Sequence, residues 1–190
     1  MWKSILIIGG ARSGKSHFAQ ALALKSAQPV LFVATAEAGD EEMRQRIEEH
    51  RKSRPATWST LEVTMNIGSQ ISRKLGKAQT VIVDCITLLI NNILNQFSEP
   101  ANQQIDTSLI EKEVTAEIQG LVDCISRSNA RFIIVSNDVG LGLVPADRMS
   151  RLYRDLLGKT NQSLAQHTDE VYLMVAGIPV LIKPSRSLKE

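Results

Sequence analysis

A short glycine-rich segment near the amino terminus carries the residue types that hold a nucleoside triphosphate. It reads GGARSGKS and fits the pattern G-x-x-x-x-G-K-[ST], with an apolar run before it at 5–8 and a helical pattern after it. Glycines allow successive backbone N–H groups to face phosphate oxygens, and the following helix adds its positive N-terminal dipole. A glycine-rich turn with an incidental lysine is the alternative. The predicted phosphate loop consists of Gly9, Gly10, Ala11, Arg12, Ser13, Gly14, Lys15 and Ser16.

A phosphate loop of this type binds nucleotide together with Mg²⁺, and two residues of the chain are candidate ligands for that ion. Lys15 would neutralise the β and γ phosphates, and Ser16 would offer its hydroxyl to Mg²⁺. The run at 80–84 ends in Asp84, and a carboxylate at such a strand end holds or orients the Mg²⁺ of a phosphate loop. The alternative is an aspartate that caps the next helix. We therefore predict Mg²⁺ at Ser16 and Asp84.

A histidine beside cationic residues is the candidate nucleophile. A helical pattern that ends near residue 52 places Met43, Ile47 and His50 on one face. Neighbouring positive charge binds phosphate and favours the neutral imidazole, which can attack phosphorus to form a covalent intermediate. The alternative is a structural histidine that completes an amphipathic face. The cationic neighbours are Arg51, Lys52 and Arg54.

Apolar runs alternate with amphipathic helical patterns along the chain. Strands are predicted at 3–8, 30–33, 80–84, 131–136, 171–175 and 180–183. The alternation predicts an α/β fold, a mostly parallel sheet with helices on both faces, and residues 176–179 predict a hairpin with an antiparallel last strand. No change of composition divides the chain, so one nucleotide-binding domain over 1–190 is expected. The longest helical pattern, 107–127, has a predicted core stripe of Leu109, Ile110, Val114, Ile118, Leu121, Val122 and Ile125.

The composition narrows the possible partners. Lys and Arg number 22 against 20 for Asp and Glu, so electrostatics gives no reason to expect nucleic acid or an anionic membrane as a partner. The two cysteines, Cys85 and Cys124, lie in or beside apolar runs without metal-ligand spacing, which is typical of buried thiols in a reducing compartment. No run approaches the about 18 apolar residues of a membrane span, and no secretory leader precedes the first strand. The expected location is the cytoplasm.

Three further stretches, together with the phosphate loop, resemble the sequence of one known family. They are ATAEAGDEEMRQRIEEHRKSRPATWSTLE at 34–62, DCITL at 84–88 and VSNDVGLGLVPADRMSRLYRDLLGKTNQSLAQHTDEVYLMVAGIPVLIK at 135–183. With them the chain resembles the bifunctional adenosylcobinamide kinase/adenosylcobinamide-phosphate guanylyltransferase family of cobalamin biosynthesis. The resemblance covers nearly the whole chain, and its middle and last stretches are far more specific than the phosphate loop.

The resemblance implies a P-loop NTPase of RecA-like fold with a corrinoid substrate. Family members phosphorylate the aminopropanol hydroxyl of adenosylcobinamide with ATP or GTP. They then transfer GMP from GTP to that phosphate through a GMP-histidine, which gives adenosyl-GDP-cobinamide. The histidine that matches here is His50. A homotrimer is also implied by the resemblance.

The resemblance adds nucleotide contacts to the phosphate loop. Two departures stand out, because no proline follows shortly after Glu62 and because Asp138 replaces the usual glutamate. The loop at 137–145 is a candidate for the corrinoid site or for a subunit contact, with a plain surface loop as the alternative. The implied contacts outside the phosphate loop are Ala34, Thr35, Ala36, Arg51, Lys52, Ser53, Arg54, Glu62 and Asp84.

Two rival functions fit parts of the sequence. A P-loop kinase for a small metabolite would need the loop and Asp84 but no covalent intermediate on His50. A RecA-like ATPase module acting on nucleic acid would share the fold, but the near-neutral charge and the presence of only two Tyr and two Trp argue against it. Covalent labelling by GTP separates the first rival from the resemblance, and a gel shift at low salt tests the second.

Overall fold

The computed structural model describes residues 4–37, 39, 41–52, 54–97, 106–140 and 142–185. Within these residues, the apolar runs form the strands β1 (Ile5–Gly9), β2 (Val30–Ala34), β3 (Ser59–Glu62), β4 (Thr80–Asp84), β5 (Arg131–Val135), β6 (Glu170–Val175) and β7 (Ile178–Lys183). The helices are α1 (Lys15–Ser26), α2 (Glu41–Lys52), α3 (Ile67–Lys74), α4 (Ile86–Gln96), α5 (Thr107–Arg127) and α6 (Arg148–His167).

The strand order sets which residues meet at the functional edge of the sheet. The order is β3-β2-β4-β5-β1-β6-β7, with parallel neighbours except for the antiparallel β6 and β7. Val135 of β5 pairs with Ile7 of β1 on one side and with Asp84 of β4 on the other. The carboxyl ends of β1, β5 and β4 therefore lie side by side, and ligands bind at such an edge in open α/β sheets.

Strands that are apolar on both faces explain the two-sided architecture. Leu6 packs with residues of α3, α4, α5 and α6, whereas Ile5 and Ile7 point to the other face, where they pack with Ala19 and Ala23 of α1. This arrangement confirms the predicted α/β fold with helices on both faces and an antiparallel carboxyl-terminal strand. No helix in the described ranges has the length and apolar character needed to cross a membrane.

The predicted elements are present with small shifts of their ends, and one side chain of the predicted core stripe is misplaced. Residue 3 of the first predicted strand lies outside the described residues. Leu109 was expected in the core but is 48% exposed, whereas the adjacent Ile110 is fully buried. Consecutive helical residues point about 100° apart, and in the first turn of α5 the direction of the core falls on Ile110, so that Leu109 points toward solvent.

A distant carboxylate caps α3. Asn66, the N-cap of this helix, has a left-handed φ of 54° and its own side chain makes no capping bond. The buried Glu117 of α5 replaces that bond, because its carboxylate oxygens accept the backbone N–H groups of Asn66 at 2.8 Å and Ile67 at 2.6 Å. The start of α3 is therefore held by tertiary structure rather than by its local sequence.

Removing this cap is expected to destabilise the protein. A Glu117→Ala variant leaves two N–H groups without their partner, which should lower the free energy of unfolding by about 2–4 kcal/mol. Glu117→Gln keeps one acceptor and should cost less. Urea unfolding measures the loss, with the exposed Glu113→Ala on the same helix as the control. A Glu117→Ala variant within about 0.5 kcal/mol of that control would contradict the capping role.

Candidate active site

An open cleft of about 670 Å³ lies at the carboxyl edge of the sheet. Its walls come from the phosphate loop, the end of β2, α2, and the ends of β4 and β5. It therefore gathers, from separate parts of the chain, most of the residues predicted to bind nucleotide. The predicted residues that line it are Ala11, Arg12, Ser13, Gly14, Lys15, Ser16, Ala34, Ala36, His50, Arg54 and Asp84.

The phosphate loop leads from β1 directly into α1. Gly9 has a φ of 151°, and a Cβ atom there would lie 2.6 Å from the carbonyl oxygen of Met174, so only glycine fits. The loop places the amino terminus of α1, which begins at Lys15, at the cleft. Lys15 is 7% exposed, and its Nζ donates a hydrogen bond to the Gly10 carbonyl at 2.6 Å. Both the lysine and the helix dipole therefore favour an anion in this cleft.

The turn of the carboxyl-terminal hairpin supports the phosphate loop from below. Ala176 and Gly177 both have positive φ, 50° and 83°, in the turn between β6 and β7. The Gly177 N–H donates to the carbonyl oxygen of Ser13 at 3.1 Å. A Cβ atom on Gly14 would lie only 3.3 Å from the Cα of Gly177. The sequence predicted the hairpin, but it gave no signal that the hairpin would touch the loop.

Asp84 stands beside the phosphate loop, where it was predicted. Burial raises the pKa of its carboxyl above the usual 3.8. A hydrogen bond from Ser16, the protonated form of His50 and the positive charges of Arg54 and Lys15 offset only part of that rise. The hydroxyl of Ser16 and the carboxylate of Asp84 are therefore neighbours. Two hard oxygen ligands next to a phosphate loop fit Mg²⁺, which takes few protein ligands and completes its shell with phosphate and water.

Thr35 holds the chain that follows Asp84. Its hydroxyl donates to the Cys85 carbonyl at 2.7 Å and accepts the Cys85 N–H at 2.8 Å, while its own carbonyl accepts a hydrogen bond from Asn92 at 2.8 Å. Thr35 is fully buried behind the cleft rather than in its lining. Its geometry supports a role in aiming Asp84, and a direct contact between its side chain and nucleotide stays a prediction.

Helix α2 forms one wall of the cleft. Met43, Ile47 and His50, the face predicted from their spacing, all line it. His50 is close enough to Asp84 that a proton on its imidazole lowers the pKa of that carboxyl. The imidazole thus lies in the same cleft as Lys15 and Ser16. The apolar face of α2 therefore borders the candidate ligand site.

Two arginines lie at the end of α2, Arg51 in its last turn and Arg54 just after it. The Arg54 guanidinium carbon lies 3.8 Å from the centroid of the Phe32 ring, and Phe32 in turn stacks on Trp58 at 6.4 Å. Burial lowers the pKa of Arg54, with Asp84 and Glu62 acting in the opposite direction. Arg54 lines the cleft, whereas the exposed Arg51 points to Glu62 across 4.0 Å at its outside.

Some of the residues implied by the resemblance do not line the cleft. Gly9 and Gly10 shape the phosphate loop from within the backbone, and Thr35 lies behind it. Ser53 lies outside the described residues. For the exposed remainder, nucleotide contact stays a prediction; these residues are Arg51, Lys52 and Glu62.

The cleft also contains residues that the sequence did not indicate as nucleotide contacts. Asn137 is one of them, and it belongs to the loop at 137–145 that was a candidate for the corrinoid site or for a subunit contact. Cys85 is another, and burial together with the charge of Asp84 raises its pKa to about 11, so the thiol stays neutral near pH 7 and is a poor nucleophile. The strand-end position of Asn137 was the available signal, because three neighbouring strands end at this edge. The other additional lining residues are His17, Gln45, Glu49, Leu88 and Val135.

Comparison with known proteins identifies the family. The model of the family described as "Cobinamide kinase / cobinamide phosphate guanyltransferase" matches residues 5–182. The chain belongs to this family. It is 40% identical over 180 residues to the bifunctional adenosylcobalamin biosynthesis protein CobU of Escherichia coli (strain K12), covering 94% of this chain and 99% of the relative. Identity to the CobU protein of Salmonella typhimurium is 41% over 180 residues, with the same coverage.

The comparison with solved structures concerns the fold alone. The RadB recombinase structure has a TM-score of 0.50 and 13% sequence identity, with 90% of this chain and 73% of that chain covered. This similarity, together with the sheet order and the phosphate loop, confirms the P-loop NTPase fold of RecA-like type. Membership of the cobinamide kinase/cobinamide phosphate guanyltransferase family makes the chain an enzyme of cobalamin biosynthesis that binds nucleotide.

Proposed function

We propose that this chain phosphorylates adenosylcobinamide with ATP or GTP and then transfers GMP from GTP to the new phosphate, with His50 as the covalent carrier. One observation supports this most directly. His50 on α2 lines the same cleft as Lys15 and Ser16 of the phosphate loop and Asp84 of β4. When a nucleophile and a triphosphate-binding loop face one cleft, the nucleophile can attack the nucleotide that the loop holds.

In the guanylyl step, a ring nitrogen of His50 attacks the α phosphorus of GTP. A nitrogen–phosphorus bond forms, the bond from the α phosphorus to the α–β bridging oxygen breaks, and pyrophosphate leaves with the electron pair. A phosphate oxygen of adenosylcobinamide phosphate then attacks the same phosphorus and releases the imidazole. Arg54 in the cleft stabilises phosphate charge in both steps. Arg51, which faces Glu62 outside the cleft, takes the same role once it turns toward the nucleotide.

Mg²⁺ fits the oxygen ligands of Ser16 and Asp84, and when bound it would neutralise phosphate charge. In the parts of the chain that are described, no group of three or more His, Cys, Asp or Glu side chains could hold a metal ion. A site with so few protein ligands depends on the nucleotide's own oxygens. Lys15 and the amides of the phosphate loop hold the triphosphate in place.

The remaining features of the proposal come from the resemblance. The acceptor is the aminopropanol hydroxyl of a corrinoid, and the assembly is a homotrimer. We place the reaction in the cytoplasm, where nucleoside triphosphates are available. Analytical ultracentrifugation of the purified chain would test the trimer independently of activity.

The covalent step is tested by labelling with GTP. GTP labelled at the α phosphate should leave label on the protein that survives base and is lost in acid, as expected for a phosphorus–nitrogen bond, whereas GTP labelled at the γ phosphate should leave none. Adenosylcobinamide phosphate should remove the label as adenosyl-GDP-cobinamide. Guanylyl transfer without any labelled protein would contradict the covalent intermediate and indicate that adenosylcobinamide phosphate attacks GTP directly.

A further inference from the structure

Asn137 lies just beyond the end of a central strand, in the cleft, and has no role in the proposed chemistry so far. It comes two residues after Val135, the end of β5, which pairs with Ile7 of β1 and with Asp84 of β4. Asn137 therefore lies between the start of the phosphate loop and the carboxylate of Asp84, the proposed Mg²⁺ ligand. It is half-buried and lines the cleft with both.

The backbone of Asn137 is held on both sides. Its N–H donates to the hydroxyl of Thr87 at 2.8 Å, and its carbonyl oxygen accepts a hydrogen bond from Asn161 at 2.9 Å. The next residue is tied to the phosphate loop, because the Asp138 N–H donates to the Gly9 carbonyl at 3.0 Å. These bonds all use main-chain atoms of this segment, so they position the Asn137 side chain without consuming its amide group.

The strand order also separates Asn137 from His50. Along the edge the order is β2, β4, β5 and β1. Helix α2 follows β2 and places His50 on one side of Asp84. Asn137 lies on the other side of Asp84, beside the phosphate loop. A triphosphate with its α phosphorus at His50 and its tail on Lys15 directs its terminal phosphoryl group toward the Asn137 side.

We propose that the side-chain amide of Asn137 donates a hydrogen bond to the terminal phosphoryl group of the nucleotide and serves the kinase step more than GMP transfer. This inference rests on the proposed function. In the kinase step the corrinoid hydroxyl oxygen attacks the γ phosphorus, the bond from that phosphorus to the β–γ bridging oxygen breaks, the nucleoside diphosphate leaves with the electron pair, and the hydroxyl proton passes to water. A fixed neutral donor stabilises charge on the transferred group without opposing its approach.

Two variants test the inference on the full-length protein. Asn137→Ala should lower kcat for phosphorylation of adenosylcobinamide by about 100-fold, the usual effect of removing one such donor. GMP transfer to supplied adenosylcobinamide phosphate should change by less than about threefold, since its reacting phosphorus is the α phosphorus. Asn137→Asp, with a carboxylate of the same size, should lose at least as much kinase turnover. Asn91→Ala, at an exposed position on α4, is the control.

The outcomes separate this inference from the proposed function. A wild-type chain that does not phosphorylate adenosylcobinamide would overturn the kinase assignment and the inference together. An active wild type with an Asn137→Ala variant within about threefold of its kinase kcat would overturn the inference alone. An equal loss of both reactions would overturn it as well, because that result indicates general damage to the cleft. Melting temperature, measured for each variant, reports on folding.

Discussion

A His50→Asn variant is expected to lose GMP transfer by at least about 10³-fold, because an amide cannot form the covalent intermediate. Phosphorylation of adenosylcobinamide should stay within about threefold of wild type, since that step needs the phosphate loop and not the imidazole. The two activities would thus be separated by one side chain in one cleft. Product formation from adenosylcobinamide phosphate and from adenosylcobinamide, assayed separately, measures the split.

The control for this experiment is a histidine far from the cleft. His167 ends α6, and its Nδ1 contacts the Ser163 carbonyl at 2.8 Å. His167→Asn should therefore leave both reactions intact. Persistent labelling of the His50→Asn protein by α-labelled GTP would remove His50 from the covalent role.

Replacing Asp84 should have the opposite pattern, with both reactions lost. Asp84→Asn keeps the size of the side chain but removes the charge that makes it a good ligand for Mg²⁺. We expect kcat for phosphorylation and for GMP transfer to fall by about 10²-fold or more. Asp123→Asn, a change at a half-buried aspartate on α5 that does not line the cleft, is the matched control. Activity of the Asp84→Asn variant within about threefold of wild type would exclude the proposed role.

The same variant is expected to be more stable than wild type when metal is removed. Burial raises the folded-state pKa of Asp84 above the usual 3.8. Between the unfolded-state and folded-state pKa the native protein binds more protons than the unfolded chain, so stability falls as pH rises through that window and stays lower at neutral pH. Asn cannot ionise and avoids this loss.

Thermal unfolding in EDTA tests this trade between stability and activity. At pH 7 the melting temperature of Asp84→Asn should exceed that of wild type, and the difference should shrink as the pH is lowered and the wild-type carboxyl becomes protonated. A variant that melts below wild type at pH 7 would show that the carboxylate stabilises the metal-free fold.

The parts of the site that the sequence predicts are those in which a local pattern has a single structural meaning. The spacing of glycines, Lys15 and Ser16 between an apolar run and a helix predicts the loop and its orientation. The position of Asp84 at a strand end predicts its place at the same edge. The helical spacing of Met43, Ile47 and His50 predicts one face, although it does not say that this face borders a cleft rather than the core.

The parts that the sequence does not predict depend on contacts between distant segments. Glu117 caps a helix that begins 50 residues earlier, and nothing around Asn66 indicates such a partner. Thr35 reads as a residue of a ligand loop, yet its hydroxyl is used within the protein by Cys85. The strand-end position of Asn137 is visible in the sequence, but its place between the phosphate loop and Asp84 follows from the insertion of β5 between β1 and β4, which the sequence does not specify.

The hydrogen bond from Gly177 to Ser13 connects the hairpin at the edge of the sheet to the phosphate loop. β7 is the last strand, and its apolar side chains are largely exposed, so fraying should begin there. Opening of that edge removes a hydrogen bond to the phosphate loop, so we expect affinity for nucleotide to fall before the buried strands separate. By thermodynamic linkage, we expect a bound triphosphate to slow hydrogen exchange at the turn as well as at the loop.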